Sequence, residues 1–321
     1  MNSPVRTGVL LPIGRAQWGE GTDPRGLVGF GVRAERLGYD SLWVNDSLIE
    51  PRIESLAMLS ALTSVTSRVT LGTAALMPVL RRPVQTTQAL ASLDLLSGGR
   101  LTVTVGAGFP GRLGRPLHAL SEVPWERRFA RLDETVALWR KLWTAEGPTS
   151  FHGEVLRFDD IPRTTPVFRP GGPDIWLGGN TPAARARTGR LYDGWLPYPP
   201  DPADYATGLA EVREAAKQAG RDPAGLASAL FVSVLLAETP AEGRRGLEAY
   251  SRANYKMELD QLETIQALTA GPPEHVVAYL RRYVDAGARH LVIRIGALDL
   301  ATQTEQLERL AELLPQLRGG A

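Results

Sequence analysis

The chain has 321 residues, 43% hydrophobic and 22% charged, which excludes disorder and supplies a large core. Lys and Arg total 36 against 35 Asp and Glu, and a formal charge of +1 creates no field that would gather nucleic acid or an anionic membrane. The absence of cysteine removes disulfides, thiolate metal sites and cysteine nucleophiles, and fits a reducing cytoplasm.

From the N-terminus, Arg6 and the short apolar run Val9-Leu10-Leu11 before Pro12 predict a strand over 6–11, too short for a signal-peptide core of about 7–15 apolar residues. Gly38 closes a helix ahead of a strand over 41–45, and a third strand spans 70–76. Arg81-Arg82-Pro83 reads as a solvated turn before the next helix, which Gly98-Gly99 stops before a strand over 101–106. Gly106, Gly108 and Gly111 satisfy GxGxxG. Pro110, Gly111, Gly114 and Pro116 predict no helix there, so the dinucleotide fingerprint is rejected in favour of a glycine loop. Phe129, Leu132, Val136, Trp139 and Trp143 then make one apolar helix face, and the Pro- and Gly-rich stretch 147–173 is an insertion. Strands follow over 174–177, 194–197 and 230–236. A charged helical insertion covers 239–268, and Gly287 precedes a last strand over 290–295 and a leucine-faced helix. No run approaches the roughly 18 apolar residues of a membrane span.

Eight short apolar strands alternating with helices predict an α/β fold, a (β/α)8 TIM barrel with loop insertions; an open doubly wound sheet is the alternative. Barrel active sites lie where the strands end, which directs attention to Asn45-Asp46-Ser47, Ala74-Ala75, Gly106-Ala107-Gly108-Phe109 and Gly178-Gly179-Asn180-Thr181. In the last of these a strand runs through a glycine turn into a helix from Pro182. Free amides and the positive end of a helix dipole suit a phosphate there, although an ordinary capped turn has the same spacing. Asp46 is a candidate acid or base or a simple helix cap, and Ser47 has no evident base. His118, His152, His275 and His290 share no metal-ligand spacing and no Gly-x-Ser-x-Gly elbow occurs, so no metal and no serine hydrolase is expected. Trp18 and Trp125, set among Gly and Pro after strand ends, are candidates to line a pocket.

Leu96-Ser97-Gly98-Gly99-Arg100 followed by a strand and Gly106-Ala107-Gly108, together with Gly38-Tyr39-Asp40-Ser41-Leu42-Trp43-Val44, Arg68-Val69-Thr70-Leu71-Gly72-Thr73 and Trp176-Leu177-Gly178-Gly179, resembles the bacterial luciferase-like oxidoreductases over nearly the whole chain. The resemblance implies one TIM-barrel domain over 1–321 that binds FMN or the deazaflavin coenzyme F420, often as a homodimer. It implies a non-prolyl cis peptide at Ala74-Ala75, and a cofactor-binding set of Asn45, Ala74, Ala75, Gly106, Gly108, Phe109, Gly178, Gly179, Asn180 and Thr181. The chain departs from the pattern twice. Ser47 stands where many relatives carry histidine, and Phe109 where some deazaflavin dehydrogenases place glutamate. These departures lead the sequence reading to a cytoplasmic monooxygenase using reduced FMN and O2 on a small organic substrate. Asp46 and Ser47 would handle protons, and NAD(P)H would act indirectly through a partner flavin reductase. The alternatives are an F420-dependent reductase or dehydrogenase, a sugar-phosphate lyase or isomerase, and a non-catalytic flavin-binding protein.

Overall fold

The computed structural model describes residues 4–109 and 111–319. Eight parallel strands close a barrel: Arg6–Leu10, Ser41–Val44, Thr70–Leu76, Leu101–Val105, Asp174–Gly178, Gly194–Leu196, Ala227–Leu236 and His290–Ile295. Closure is made by the eighth strand against the first, with Arg6 opposite His290, and by the sixth against the seventh, with Trp195 opposite Ser228. A ninth strand, Leu268–Gly271, extends the sheet beside the seventh. The stretch 147–173 contains the antiparallel hairpin Thr149–His152 and Arg157–Ile161; 239–268 contains helices Pro240–Tyr255 and Leu259–Glu263. No helix among the described residues is long and apolar enough to cross a membrane.

The punctuation works as the sequence predicts. Gly98 adopts a left-handed C-cap, and Gly38 and Gly287 turn their helices into strands at φ +90° and +108°. Arg100, from the most distinctive motif, does no chemistry. Its guanidinium donates to the carbonyls of Ser97, Thr66 and Val69 at 2.7–2.9 Å, tying the end of helix Pro83–Ser97 to the start of the third strand.

Two expectations need correction. Residues Gly111–Leu120 form a helix with Pro116 inside it. Gly114 is required there by packing, because a Cβ would stand 2.1 Å from the Phe109 carbonyl and 2.5 Å from Trp125. Pro110 lies outside the described residues. Phe129 leaves the buried face of helix Arg128–Thr144 and is exposed beside Arg128 and Arg187, whose guanidinium carbons lie 4.3 and 5.0 Å from its ring centre.

The main core lies between strands and helices, and a second cluster of Leu10, Trp43, Trp176, Leu196, Ala229 and Val292 fills the barrel. Below it His290 Nε2 lies 2.7 Å from Ser41 Oγ, with the rings of Trp43 and Trp176 each 5.5 Å away and edge-on. Burial, helped by the charge of Arg6, pushes the imidazole down to about 3. It is therefore neutral in the fold and protonates more readily when unfolded, so its contribution is complete above pH 6.5 and shrinks as pH falls toward 3. We expect about 2 kcal/mol lost between pH 7 and pH 5 from this group. Urea midpoints at the two pH values, compared with those of His290→Gln, check this: an equal pH slope in both proteins would refute it.

Candidate active site

The third, fourth and fifth strands build one side of the barrel mouth. The Ala74-Ala75 peptide is cis, and the pairing of the third and fourth strands shifts register between Thr73 and Leu76. The Ala75 methyl lies between the ends of the next two strands: a Cβ at Gly106 would stand 3.9 Å from it, and one at Gly178 3.8 Å. A methyl at either position would sit at ordinary contact distance, so neither glycine is imposed by a clash. Gly108, at φ +85°, carries the chain away past Met77, and Phe109 is half-buried. Asn45, across the second strand, holds Ser55 through its carbonyl at 2.8 Å and has a buried Oδ1 with no donor among the described residues.

The glycine loop after the fifth strand has the geometry of an anion site. Gly179 sits at φ +109°, its carbonyl accepts from Trp195 Nε1 at 2.9 Å, and Thr181 caps helix Pro182–Leu191 by accepting the Ala184 amide at 3.2 Å. Arg185 Nε donates to Asn180 Oδ1 at 3.1 Å and its Nη1 to Glu211 at 3.0 Å, so the cation beside the loop is shared with an acid. Glycine backbone, a helix N-terminus and a nearby guanidinium together suit a phosphate.

Further arginines lie around Trp125 and Phe129, and of Arg82, Arg112, Arg115, Arg128 and Arg131 only Arg82, read as part of a solvated turn and exposed here, was singled out from the sequence. Arg128 lies 3.9 Å and Arg115 5.6 Å from the Trp125 ring centre, and His118 packs edge-on against the same ring. Arg82, Arg112, Arg115, Arg128 and Arg131 make no ion pair among the described residues. Burial first, then the charge of Arg115, lowers the pKa of Arg128, and burial followed by Arg82 lowers that of Arg131 against the opposing charge of Glu134. Acids stand among these cations, with Glu134 acting on Arg131, Glu154 paired with Arg127 and Asp133 with Arg187, and the remaining positive charge favours an anion.

Asp46 is engaged in a different way from that expected of an acid or base. Its Oδ2 accepts the Met77 amide and Arg81 Nη2, both at 3.1 Å, while its own amide donates to the Ala75 carbonyl at 3.3 Å. It thus clamps the second strand end to the segment that follows the cis peptide. Arg81 is half-buried rather than a solvated turn, and also donates to Glu54 at 2.6 Å. Burial opposes its charge, but Asp46 and Glu54 outweigh burial and raise its pKa. Ser47 Oγ accepts the Ile49 amide at 3.0 Å and shapes the next turn.

A family description, luciferase-like monooxygenase, matches residues 5–290. The chain belongs to the luciferase-like monooxygenase family. Within this family it is 30% identical over 337 residues to an F420-dependent glucose-6-phosphate dehydrogenase of Segniliparus rotundus, covering 96% of this chain and 98% of that one. It is 32% identical to the protein of the same name from Nakamurella multipartita, covering 92% and 93%. Among solved structures, an F420-dependent secondary alcohol dehydrogenase superposes with a TM-score of 0.82 at 20% identity over 98% of this chain and all of that one. The monooxygenase RslO1 of Streptomyces bottropensis gives 0.79 at 22% over 97% and 99%. As a luciferase-like oxidoreductase the chain has the barrel the sequence predicts, and its similar curated relatives favour the deazaflavin alternative over the FMN oxygenase expected from Ser47 and Phe109.

Proposed function

We infer that this luciferase-like oxidoreductase uses coenzyme F420 and transfers a hydride to or from a small substrate. The observation that carries the reading is the arginine surface around Trp125 and Phe129, which meets Arg187 of the helix that follows the glycine loop. FMN ends in a single phosphate, whereas F420 continues past its phosphate into a chain of glutamates, and the guanidinium groups of Arg115 and Arg128, which make no ion pair among the described residues, would give such an anionic tail counter-charges. The names of the curated relatives at about 30% identity support the same choice.

The residues fit the group. Gly106 and Gly178 leave room over Ala75 for a flat ring, Gly178, Gly179, Asn180 and Thr181 would hold the phosphate, and the arginines would hold the tail. When bound, the deazaflavin supplies a two-electron carrier that exchanges a hydride at a ring carbon. The chain supplies orientation and a dry floor, since Leu10, Trp43 and Trp176 close the barrel beneath the mouth. Asp46 holds Met77 and Arg81 in place, a positioning role.

Calorimetric titration with F420 and FMN, each oxidised and reduced, tests the reading. F420 is expected to bind more tightly, and charge reversal at Arg115→Glu and Arg128→Glu together to weaken F420 by at least about tenfold and FMN by less than about threefold. Tight binding of reduced FMN with none of F420 would overturn the reading and restore the oxygenase.

A further inference from the structure

We propose that an oxyanion of the substrate, a carboxylate or a phosphate, is held between Arg52 and Arg294, across the barrel mouth from the glycine loop. The assignment to a substrate rests on reading the mouth as an F420-dependent active site. Arg294 follows Val292 by two along the eighth strand, so it faces into the barrel near the strand's C-terminal end, and it is only 6% exposed. Its partners are neutral: Nη1 donates to the Tyr255 hydroxyl at 2.9 Å, and Nη2 to Gln17 Oε1 at 2.8 Å and Asn254 Oδ1 at 3.2 Å. Arg52 Nη2 donates to Glu50 Oε1 at 2.8 Å. Glu50 Oε1 and Gln17 Oε1 converge on Gly14, 3.3 and 3.7 Å from where its Cβ would stand, so the two guanidinium groups meet at one corner of the mouth.

That corner is short of acceptors. Arg294 Nε, Arg52 Nε and Nη1, and Gln17 Nε2 are buried with no partner among the described residues, and each is a donor. The acids nearby are engaged: Glu50 holds Arg52, while Asp46 and Glu54 hold Arg81. Burial depresses the pKa of Arg52, Glu50 opposes that and the charge of Arg294 adds to it, while Tyr250, Tyr255 and Glu50 raise Arg294 against its burial. An oxyanion supplies the missing acceptors. Arg52 also lines an open cleft of about 420 Å³ with Asp46, Ser47, Glu50, Glu54 and Arg81, so its side of the corner borders solvent-accessible space. The glycine loop follows the fifth strand and Arg294 ends the eighth, next to the first, so cofactor phosphate and substrate oxyanion occupy opposing arcs of the ring.

The test uses the full chain saturated with oxidised F420, so that the phosphate loop is filled, and titrates succinate, inorganic phosphate and the neutral analogue succinamide by calorimetry. At least one anion is expected to bind and succinamide not. Binding of succinate alone identifies a carboxylate substrate, and of phosphate alone a phosphoester. Arg52→Gln and Arg294→Met should each weaken the anion by at least about tenfold while F420 affinity changes by less than about threefold. Should Arg294→Met fail to fold, Arg52→Gln together with Gln17→Leu, which removes the acceptor that orients Arg294, carries the comparison. Absence of anion binding, or binding unchanged in these variants, overturns the proposal. If F420 itself does not bind, the same titrations on the free chain separate the two readings: anion binding lost in Arg52→Gln keeps the arginine site while the cofactor reading falls.

Discussion

Gly106→Ile is expected to leave the protein folded and to weaken cofactor binding by at least about a hundredfold. The position tolerates a side chain locally. Gly106 has no positive φ, and a Cβ there meets nothing nearer than the Ala75 methyl at 3.9 Å. A side chain therefore starts without a clash at its Cβ, beside the Ala75 methyl, where a flat ring would lie. The graded variant Gly106→Ala adds one methyl at ordinary contact distance and should cost much less, about tenfold or under. Thermal unfolding and calorimetry on the same samples check both. If Gly106→Ile binds F420 and FMN as the parent does, the ring is not placed over Ala75 and Gly106. A large drop in melting temperature instead would show that the glycine serves the fold.

The barrel was legible because its signals are local. Short apolar strands, proline-opened helices such as Pro182–Leu191 and Pro273–Asp285, and glycine stops at Gly38, Gly98 and Gly287 each follow from nearby residues. What the sequence reading missed depends on distance. Helix Gly111–Leu120 contradicts its own composition, because the need for Gly114 comes from Trp125. Arg81 reads as a surface turn until Asp46, 35 positions earlier, is found beside it. Arg294 was the exception. Within His290–Ile295 it shares the inward face with His290 and Val292, and a charge on the inner face of an apolar strand is visible by alternation alone. The family resemblance also rested largely on scaffolding: Arg100 binds carbonyls at the far end of the third strand, so the motif that names the fold carries little information about the substrate.

Trp43→Ala is expected to cost about 3–5 kcal/mol, the range for deleting a large aromatic from a packed interior. Trp43 is fully buried inside the barrel, 5.3 Å from the Trp176 ring centre, and Ala74, the first residue of the cis peptide, packs on the same cluster. The void therefore forms under the ring platform, and cofactor affinity should fall together with stability, unlike the effect of Gly106→Ile. Gly72 supplies the internal control. A Cβ there would stand 2.3 Å from Trp43 Cε3 and Cζ3, so Gly72→Ala alone should cost about 1–3 kcal/mol by overpacking. In the Trp43→Ala background the same methyl enters empty space and becomes neutral or stabilising. Urea denaturation of the four proteins of this cycle measures the coupling, expected at about 1–3 kcal/mol. Additive effects would mean that Gly72 is needed for another reason and that Trp43 is not the ring that dictates it.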